Sequence, residues 1–358
     1  MNQATASFLR EARVVTLGAL GAPLTTDTCP ASPSSPAPWP GLALRWLDAL
    51  TASHGSLRSV RSAVLRDLAL PEGATALLPG PEAGPPRSSG SSALVDREQL
   101  ARRVSGKVVL ITGGSSGIGL QTARRVAAAG AITLICGRDL QKLADAERQI
   151  ASDGGQVRAD AVDLADPSDC DEFVHRLLDR HGTVDVLINN AGRSIRRSVH
   201  SSLDRFHDFQ RTMQLNYFAA LRLTLGLLPA MAKQRQGHVI NISSLAVLMG
   251  SPRFSAYAAS KAALDAWTRC TASEYADLGI DFTTIHMPLV RTPMIAPTQS
   301  YERVPALRPE QAAELVMRAI VQRPARITTS IGALADAAQT VAPHWMRSLG
   351  NYLFRSAP

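Results

Sequence analysis

The sequence predicts an α/β protein with a doubly wound parallel sheet, a Rossmann-type fold, and two observations carry that prediction. From about residue 102 onward, short runs of aliphatic and β-branched residues alternate with amphipathic helical segments. The runs are apolar throughout, which is typical of strands covered on both faces of a parallel sheet. A chain of 358 residues is also long enough to build a sizeable core. In such a fold, ligands bind at the carboxyl ends of the strands.

The strand and helix units follow one another in order along the chain. The first unit consists of the strand KVVLIT, a helix that ends before Gly130, and the strand ITLICG. Later strands are predicted in QVRADAVD, VDVLINN, HVINISS and IDFTTIHM, each preceded by a helix. PEQAAELVMRAIVQRPARITTS predicts a further helix and a last strand. A largely apolar segment with Trp345, Tyr352 and Phe354 then ends the chain, and its role stays open between covering an acyl-chain tunnel, resting on a membrane surface, and core or subunit contact.

The first 95 residues differ in composition from the rest. Half of the 22 prolines lie between Pro23 and Pro86, where fixed φ angles and missing amide donors oppose regular structure. We therefore predict a loosely ordered Pro-rich extension over residues 1–95, with short helices near Trp46 and Val64, and one domain over residues 96–358. The amino-terminal stretch is a poor match to a signal peptide, because Glu11 lies beside a weak apolar region.

Charge and cysteine content exclude several classes of protein. The net charge is +8, but no cluster of five or six basic residues occurs, which argues against nucleic-acid binding. The four cysteines have no CxxC spacing, so we expect reduced thiols and no metal site. The apolar run from Val126 to Cys136 crosses a helix-to-strand change and is interpreted as core. We expect a cytoplasmic protein, with peripheral membrane contact left open.

A glycine-rich turn joins the first strand to the first helix of the sheet. It reads TGGSSGIG from Thr112 to Gly119, with glycines at 113, 117 and 119. Glycines here allow a tight turn and close packing, and the amino terminus of the helix can then face a pyrophosphate. The spacing GxxxGxG departs from the GxGxxG fingerprint, and a plain tight turn is the alternative. Its place between strand and helix favours dinucleotide binding.

The residue after the second strand indicates which dinucleotide is bound. Arg138 stands where an acidic residue would otherwise accept a hydrogen bond from a ribose 2′-hydroxyl. A guanidinium is suited to a 2′-phosphate, so we predict NADP (NADPH) rather than NAD. Asp139 precedes the helix LQKLADAERQI and is expected to cap it.

Five motifs in this order resemble the short-chain dehydrogenase/reductase family over residues 104 to about 330. They are TGGSSGIG, NNAG at 189–192, Asn216 in the long helix, NISS ending at Ser244, and YAASK from Tyr257 to Lys261. The resemblance implies a catalytic tetrad of Asn216, Ser244, Tyr257 and Lys261. It also implies a set of cofactor-binding residues: Gly113, Ser115, Ser116, Gly117, Ile118, Gly119, Arg138, Asp163, Leu164, Asn190, Ala191, Gly192, Tyr257, Lys261, Pro288, Val290 and Thr292.

Particular roles follow from the same resemblance. Asp163 and Leu164 would hold the adenine, Asn190 would support the sheet and the cofactor, and Thr292 would contact the nicotinamide carboxamide. One position departs from the family pattern, because Leu289 follows Pro288 where the family usually has glycine. We therefore expect the backbone near the nicotinamide to take a different course.

The tetrad explains why this chain uses lysine at position 261. Its fixed positive charges are 34 arginines against four lysines, yet a lysine follows Tyr257 by four residues, on the same helix face. A tyrosine hydroxyl with a pKa of about 10 is a poor acid–base catalyst at pH 7, and a nearby cation favours its ionised form. A slim ammonium can also bond ribose hydroxyls and join a proton relay, which a guanidinium cannot. Ser244 would hold the substrate oxygen, and Asn216 would anchor a water that links Lys261 to solvent.

Longer strings narrow the resemblance to bacterial long-chain fatty acyl-CoA reductases of the short-chain type. They include NNAGRSIRRSVHSSLDRFHDFQRTMQLNYF and HMPLVRTPMIAPT. The resemblance implies reduction of a fatty acyl thioester to an aldehyde by NADPH, in lipid or wax ester metabolism. Arg193, Arg196 and Arg197 would then meet coenzyme A phosphates, and a solvated or subunit-facing basic loop is an equal alternative.

Two other functions remain open from the sequence. One is a short-chain reductase or dehydrogenase of a ketone, a sterol or another alcohol, with the same tetrad. The other is a non-catalytic NADP-binding protein, against which the complete tetrad argues. We expect a homo-oligomer, a dimer or a tetramer.

Overall fold

The computed structural model describes residues 95–296, 298, 301 and 304–356. The predicted extension over residues 1–95 lies outside this part of the chain, except for Val95. The Val95 amide donates a hydrogen bond to the carboxylate of Glu314, and its carbonyl accepts one from Arg125 at 3.5 Å.

The described residues form one seven-stranded sheet in which all neighbouring strands are parallel. The strand order is β3-β2-β1-β4-β5-β6-β7. The chain therefore adds β2 and β3 on one side of β1, and then β4 to β7 on the other side. The predicted doubly wound parallel sheet is confirmed. The strands are β1 Val108–Thr112, β2 Ile132–Gly137, β3 Val157–Ala161, β4 Val186–Asn189, β5 Gly237–Ser244, β6 Ile280–Met287 and β7 Arg326–Ile327.

Helices connect the strands and cover both faces of the sheet. Asp139 caps α3 as predicted, since its carboxylate accepts a hydrogen bond from the Lys142 amide at 3.1 Å. Asp166 caps α4 in the same way, and Pro167 occupies the first turn of that helix. The α-helices are α1 Arg97–Val104, α2 Gly117–Ala128, α3 Leu140–Ser152, α4 Pro167–His181, α5 Phe206–Met213, α6 Ala219–Gln234, α7 Leu245–Met249, α8 Ser255–Tyr275, α9 Pro309–Gln322, α10 Ser330–Val341 and α11 Pro343–Ser356.

The core consists of two clusters, one on each face of the sheet. Residues of β1 alternate between them, because Val109 and Ile111 point to one face and Val108 and Leu110 to the other. The first cluster is covered by α1, α2, α3 and α9, and the second by α4 and α6. Burial on both faces explains why these strands are apolar throughout in the sequence.

One helical run is long and apolar enough to cross a membrane by length and composition alone. It covers Phe206–Gln234, which includes α5, a π-helical turn at Gln214–Phe218 and α6. Seven α6 residues are buried in the described fold, among them Leu223, Leu227 and Met231. Because α6 packs against α4 and the sheet, we describe this run as a core helix.

The apolar carboxyl-terminal segment folds as α10 and α11. The first of these helices packs against α7, and a Cβ on Gly332 would meet the Leu245 side chain at 2.4 Å. The Arg253 guanidinium lies 5.2 Å from the centre of the Phe354 ring. The segment therefore lies beside the short helix that follows the last residue of β5.

Candidate active site

The glycine-rich turn adopts the backbone geometry that glycine permits. Gly113 and Gly117 have positive φ angles of 66° and 54°, where other residues are strained. A Cβ on Gly119 would lie 2.3 Å from the Gly113 carbonyl oxygen. The turn and the start of α2 therefore pack backbone against backbone, which fits a nucleotide pyrophosphate at the amino terminus of the helix.

Asn190 holds this turn against the end of β4. Its side-chain nitrogen donates hydrogen bonds to the carbonyls of Thr112 at 2.9 Å and Gly113 at 3.2 Å. The Thr112 hydroxyl in turn accepts from the amides of Asn190 and Ala191 at 3.0 and 2.9 Å. The contacts agree with the expected supporting role of Asn190.

Other predicted cofactor residues converge on the same turn from neighbouring strands. The Thr292 methyl group, beyond β6, lies 3.0 Å from where a Cβ of Gly117 would be. The Ser115 hydroxyl lies 3.6 Å from where a Cβ of Gly137, at the end of β2, would be. Ser116 precedes α2 and is exposed, whereas Ile118 is half-buried in its first turn.

Leu289, which stands where the family usually has glycine, does not adopt the positive φ angle that favours glycine. Among the described residues other than glycine, positive φ angles occur only at Arg235, Arg253 and Arg323. The Leu289 carbonyl accepts a hydrogen bond from the Leu307 amide at 2.8 Å, and Arg291 donates to Leu307 at 2.9 Å. Between them, Val290 forms a parallel bridge with Leu307 and is buried. The segment after Pro288 is thus fixed by pairing with the residues that precede α9.

Arg138 and Asp163 line one pocket of about 400 Å³, beyond the ends of β2 and β3. This is the end of the cleft where the sequence predicts the adenosine part of the cofactor. The side chain of Leu164, the other predicted adenine contact, is buried in the core cluster beside α4. Its contribution to the pocket is therefore limited to the backbone.

Asn216 lies in the π-helical turn between α5 and α6 and is buried. Its Nδ2 donates to the Arg193 carbonyl and to the Ser260 hydroxyl, both at 2.9 Å, and its Oδ1 accepts from the Arg193 amide at 2.8 Å. The Ser260 hydroxyl donates to the Tyr257 carbonyl at 2.7 Å. A π-turn widens the helix locally, as is frequent at functional sites. Asn216 thereby connects the loop after β4 to the helix that carries Tyr257.

Lys261 is buried one turn after Tyr257 on α8, with only 4% of its surface exposed. Its Nζ donates to the Ile242 carbonyl of β5 at 2.7 Å. Burial lowers the pKa of Lys261 to about 8, because the charged form loses hydration. The group can therefore change protonation state near neutral pH, which an arginine cannot do.

Ser244 and Tyr257 are hydrogen-bonded through their side chains. Ser244 ends β5, and its hydroxyl also accepts from the Ala246 amide at 3.2 Å as the cap of α7. Burial raises the pKa of Tyr257, and the bond to Ser244 offsets this only in part. The lowering effect on the Tyr257 pKa that the sequence leads us to expect from Lys261 stays a prediction.

Gly192 lies beside both Asn216 and Lys261. A Cβ at Gly192 would lie 3.2 Å from Asn216 Oδ1 and 3.5 Å from Lys261 Nζ. A side chain there would crowd both polar groups. Glycine at position 192 therefore leaves both polar groups uncrowded, and the water link between Asn216 and Lys261 stays a prediction.

The structure does not bring the three arginines of the RSIRR loop together. Arg193 lines the pocket with Arg138, whereas Arg197 is ion-paired with the buried carboxylate of Asp208. Arg196 lies near the Tyr301 phenol and lowers its pKa, although burial raises that pKa by more. A single phosphate-binding cluster of all three is therefore absent from the described structure. Arg197 has a structural partner of its own.

Sequence reasoning missed three polar residues of the long helix that face the Arg138 pocket. They are Gln210, Arg211 and Gln214. In the sequence, Arg211 and Gln214 lie one turn apart on the same helix face, which indicates that their side chains point to the same side. Because both are far from Arg138 along the chain, the sequence does not indicate that they line the same pocket.

The chain belongs to the short-chain dehydrogenase/reductase family and is an oxidoreductase of that family. The sequence model of the family, described as short chain dehydrogenase, matches residues 107–303. This match covers the sheet from β1 to β6, the glycine-rich turn and all four residues of the predicted tetrad.

Two relatives carry names that indicate a more specific activity. The chain is 53% identical over 257 residues to a fatty acyl-CoA reductase of Acinetobacter baylyi, covering 71% of this chain and 87% of that protein. It is 42% identical over 247 residues to a fatty acyl-CoA reductase of Mycobacterium tuberculosis, covering 69% of this chain and 84% of that protein.

Solved structures of the family resemble the described fold. A metagenomic short-chain oxidoreductase in complex with NADP is 29% identical, with a TM-score of 0.56 over 63% of this chain and 98% of that one. L-sorbose reductase from Gluconobacter frateurii, complexed with NADPH and L-sorbose, is 26% identical, with a TM-score of 0.57 over 63% of this chain and 94% of that one. Both of these structures, which share the fold at 26–29% identity, contain NADP or NADPH.

Proposed function

We propose that this protein reduces long-chain fatty acyl-CoA to fatty aldehyde with NADPH. The observation that carries the proposal is the identity of 53% to a protein named fatty acyl-CoA reductase, over 257 residues of this chain. The geometry of that site supports carbonyl reduction, because a proton donor and a hydrogen-bond donor lie side by side at the end of β5. The acyl-CoA substrate is supported by the relatives' names.

The residues that would hold the cofactor fit a phosphorylated dinucleotide. The backbone of the glycine-rich turn would bind the pyrophosphate, and the Thr292 side chain packs against Gly117 of this turn. Arg138 lines the pocket at the end of the cleft where the adenosine would bind. Arg138 favours a 2′-phosphate through charge-assisted hydrogen bonds, so NADPH is proposed over NADH. When bound, the cofactor supplies the hydride.

Ser244 and Tyr257 would act on the carbonyl oxygen of the thioester. After hydride addition to the carbonyl carbon, both hydroxyls would donate hydrogen bonds to the oxyanion. Collapse of this tetrahedral species re-forms the C=O bond, breaks the C–S bond and leaves an aldehyde and a thiolate, which takes up one proton. Because burial holds the Tyr257 pKa high, the phenol is protonated at neutral pH and ready to act as a donor.

Lys261 and Asn216 would maintain the proton supply to Tyr257. With a pKa of about 8, the Lys261 ammonium is protonated at pH 7 and can release a proton without a large cost. Asn216 would connect this group to solvent by holding a water molecule. Lys261 is therefore proposed as a relay rather than as a fixed charge.

A substrate panel tests the proposal. NADPH oxidation is measured with palmitoyl-CoA and with long-chain and cyclic ketones, for the unaltered protein and for the Tyr257→Phe variant. We expect oxidation with palmitoyl-CoA that is lost in the variant. Activity with ketones alone would reject the acyl-CoA substrate and favour the second candidate, a short-chain reductase of a ketone, a sterol or another alcohol, which the same tetrad supports. Absence of any activity would favour a non-catalytic NADP-binding protein.

We also propose a cytoplasmic homo-oligomer, a dimer or a tetramer, with peripheral contact to membranes. The exposed apolar side chains of α10 and α11, among them Ile331, Val341 and Phe354, support contact with a lipid surface or with a second copy. Sedimentation of the protein with and without lipid vesicles distinguishes these two uses of the segment.

A further inference from the structure

Three arginines from separate parts of the chain line the same pocket. Arg138 follows β2, Arg193 follows β4 and Arg211 lies on α5. Among the lining residues that the structure describes, Asp163 is the one carboxylate, and glutamine side chains of the long helix complete the polar lining. The pocket therefore carries an excess of positive charge.

The three guanidinium groups are not used for ion pairs within the described part of the chain. Among the described residues, the guanidinium groups of Arg138, Arg193 and Arg211 form neither a salt bridge nor a hydrogen bond, whereas the Arg193 backbone is bonded to the Asn216 side chain. The neighbouring Arg197 and Arg205 differ, because both are paired with Asp208. Burial lowers the pKa of Arg193, and so do the nearby charges of Arg211 and Arg138. Like charges held this close are unfavourable unless an anion binds between them.

We propose that Arg193 and Arg211 join Arg138 in binding a ribose phosphomonoester, the 2′-phosphate of NADP(H). Preference for the phosphorylated cofactor would then depend on three chain segments rather than on the residue after β2 alone. The inference rests on the proposed use of NADPH. It also assigns the Arg193 side chain to the cofactor, whereas the sequence suggested coenzyme A.

The position of the pocket favours the cofactor over coenzyme A, whose 3′-phosphate is chemically similar. Arg138 and Asp163 follow β2 and β3, whereas Ser244 ends β5, on the other side of β1 and β4. With strands about 4.8 Å apart, β2 and β5 are separated by roughly 14 Å. A dinucleotide lying across the strand ends from Tyr257 would bring its adenosine half, not the substrate, to this pocket.

Fragments of the two ligands test the inference without an activity assay. Calorimetry measures the affinity of the full chain for 2′,5′-ADP, 3′,5′-ADP and 5′-AMP, which share adenosine and differ in the second phosphate. The variants are Arg138→Gln, Arg193→Gln, Arg211→Gln and the Arg193/Arg211 double variant. Arg222→Gln is the matched control, because Arg222 lies on α6 of the same helical run and is paired with Asp171 at the surface.

We expect Arg193→Gln and Arg211→Gln each to weaken 2′,5′-ADP binding about threefold to tenfold, since each removes one charged hydrogen bond at a partly exposed site. The double variant should lose more than tenfold, while 5′-AMP affinity changes less than twofold. Retained 5′-AMP binding also shows that the variants are folded. Arg222→Gln should bind all three fragments as the unaltered protein does.

Three results would overturn the inference, and they have different meanings. If only Arg138→Gln weakens 2′,5′-ADP, Arg193 and Arg211 are not part of the phosphate site, and the NADPH preference still stands. If the unaltered protein binds 2′,5′-ADP no better than 5′-AMP, the proposed cofactor preference itself fails. If the losses affect 3′,5′-ADP alone, the pocket serves coenzyme A.

Discussion

Replacing Lys261 by methionine removes a titrating group from the interior of the protein. Lys261 is 4% exposed, and burial lowers its pKa from an ordinary value of 10.5 to about 8. The folded state therefore binds fewer protons than the unfolded state between these two values. The lowered pKa destabilises the folded state by its full amount below pH 8, and this destabilisation disappears as the pH rises towards 10.5.

The lowered pKa sets the expected magnitude. At about 1.4 kcal/mol per pKa unit, the protonated lysine opposes folding by about 3 kcal/mol at pH 7. Relative to the methionine variant, the unaltered protein should gain about 2 kcal/mol of stability between pH 7 and about pH 9.5. The hydrogen bond to the Ile242 carbonyl offsets part of this cost.

Urea unfolding at a series of pH values measures this slope. The unaltered protein, Lys261→Met and Lys233→Met are compared, and Lys233 is an exposed lysine in the last turn of α6. We expect the free-energy difference to depend on pH for Lys261→Met and to stay constant for Lys233→Met. A constant difference for Lys261→Met would refute the lowered pKa and with it the proposed proton relay.

Two further predictions concern the catalytic phenol and the glycine-rich turn. Tyr257→Phe removes the proton donor but keeps the ring, so turnover should fall by roughly 10² to 10⁴. NADPH affinity, measured by fluorescence, should be retained. Near-normal turnover would show that Tyr257 is not the acid catalyst. Gly119→Ala places a Cβ 2.3 Å from the Gly113 carbonyl oxygen, so it should lower the unfolding free energy by about 1–3 kcal/mol and abolish NADPH binding. Gly137→Ala is the matched stability control, because its nearest contact is 3.6 Å, and an equal loss in both would show that the crowding at Gly119 is not the cause.

Much of the fold could be predicted because the relevant signals are local. Strands buried on both faces must be apolar throughout, and the glycines between β1 and α2 permit a turn that other residues resist. The capping role of Asp139 was predicted from its place before the helix and is confirmed by its bond to the Lys142 amide. Within the described residues, the strand order could be expected only in outline, since β7 is two residues long and carries little pattern.

Features that depend on packing could not be predicted. Leu164 follows β3 like Asp163, yet its side chain is buried in the core. Burial raises the pKa of Tyr257, whereas the sequence shows only the neighbouring Lys261. Arg211 reaches the Arg138 pocket from a helix more than 70 residues away, and its spacing from Gln214 does not indicate which pocket the two residues face. Each of these is a tertiary effect, so it became visible only in the structure.

Release of coenzyme A thiol tests the central claim most directly. The protein is incubated with palmitoyl-CoA and NADPH, and the free thiol, the fatty aldehyde and the NADPH consumed are measured together. Reduction of the thioester predicts one thiol and one aldehyde for each NADPH oxidised, and none of them with Tyr257→Phe. If NADPH is consumed with a 3-ketoacyl-CoA but no thiol appears with any acyl-CoA, the protein reduces a ketone and the proposed function is wrong.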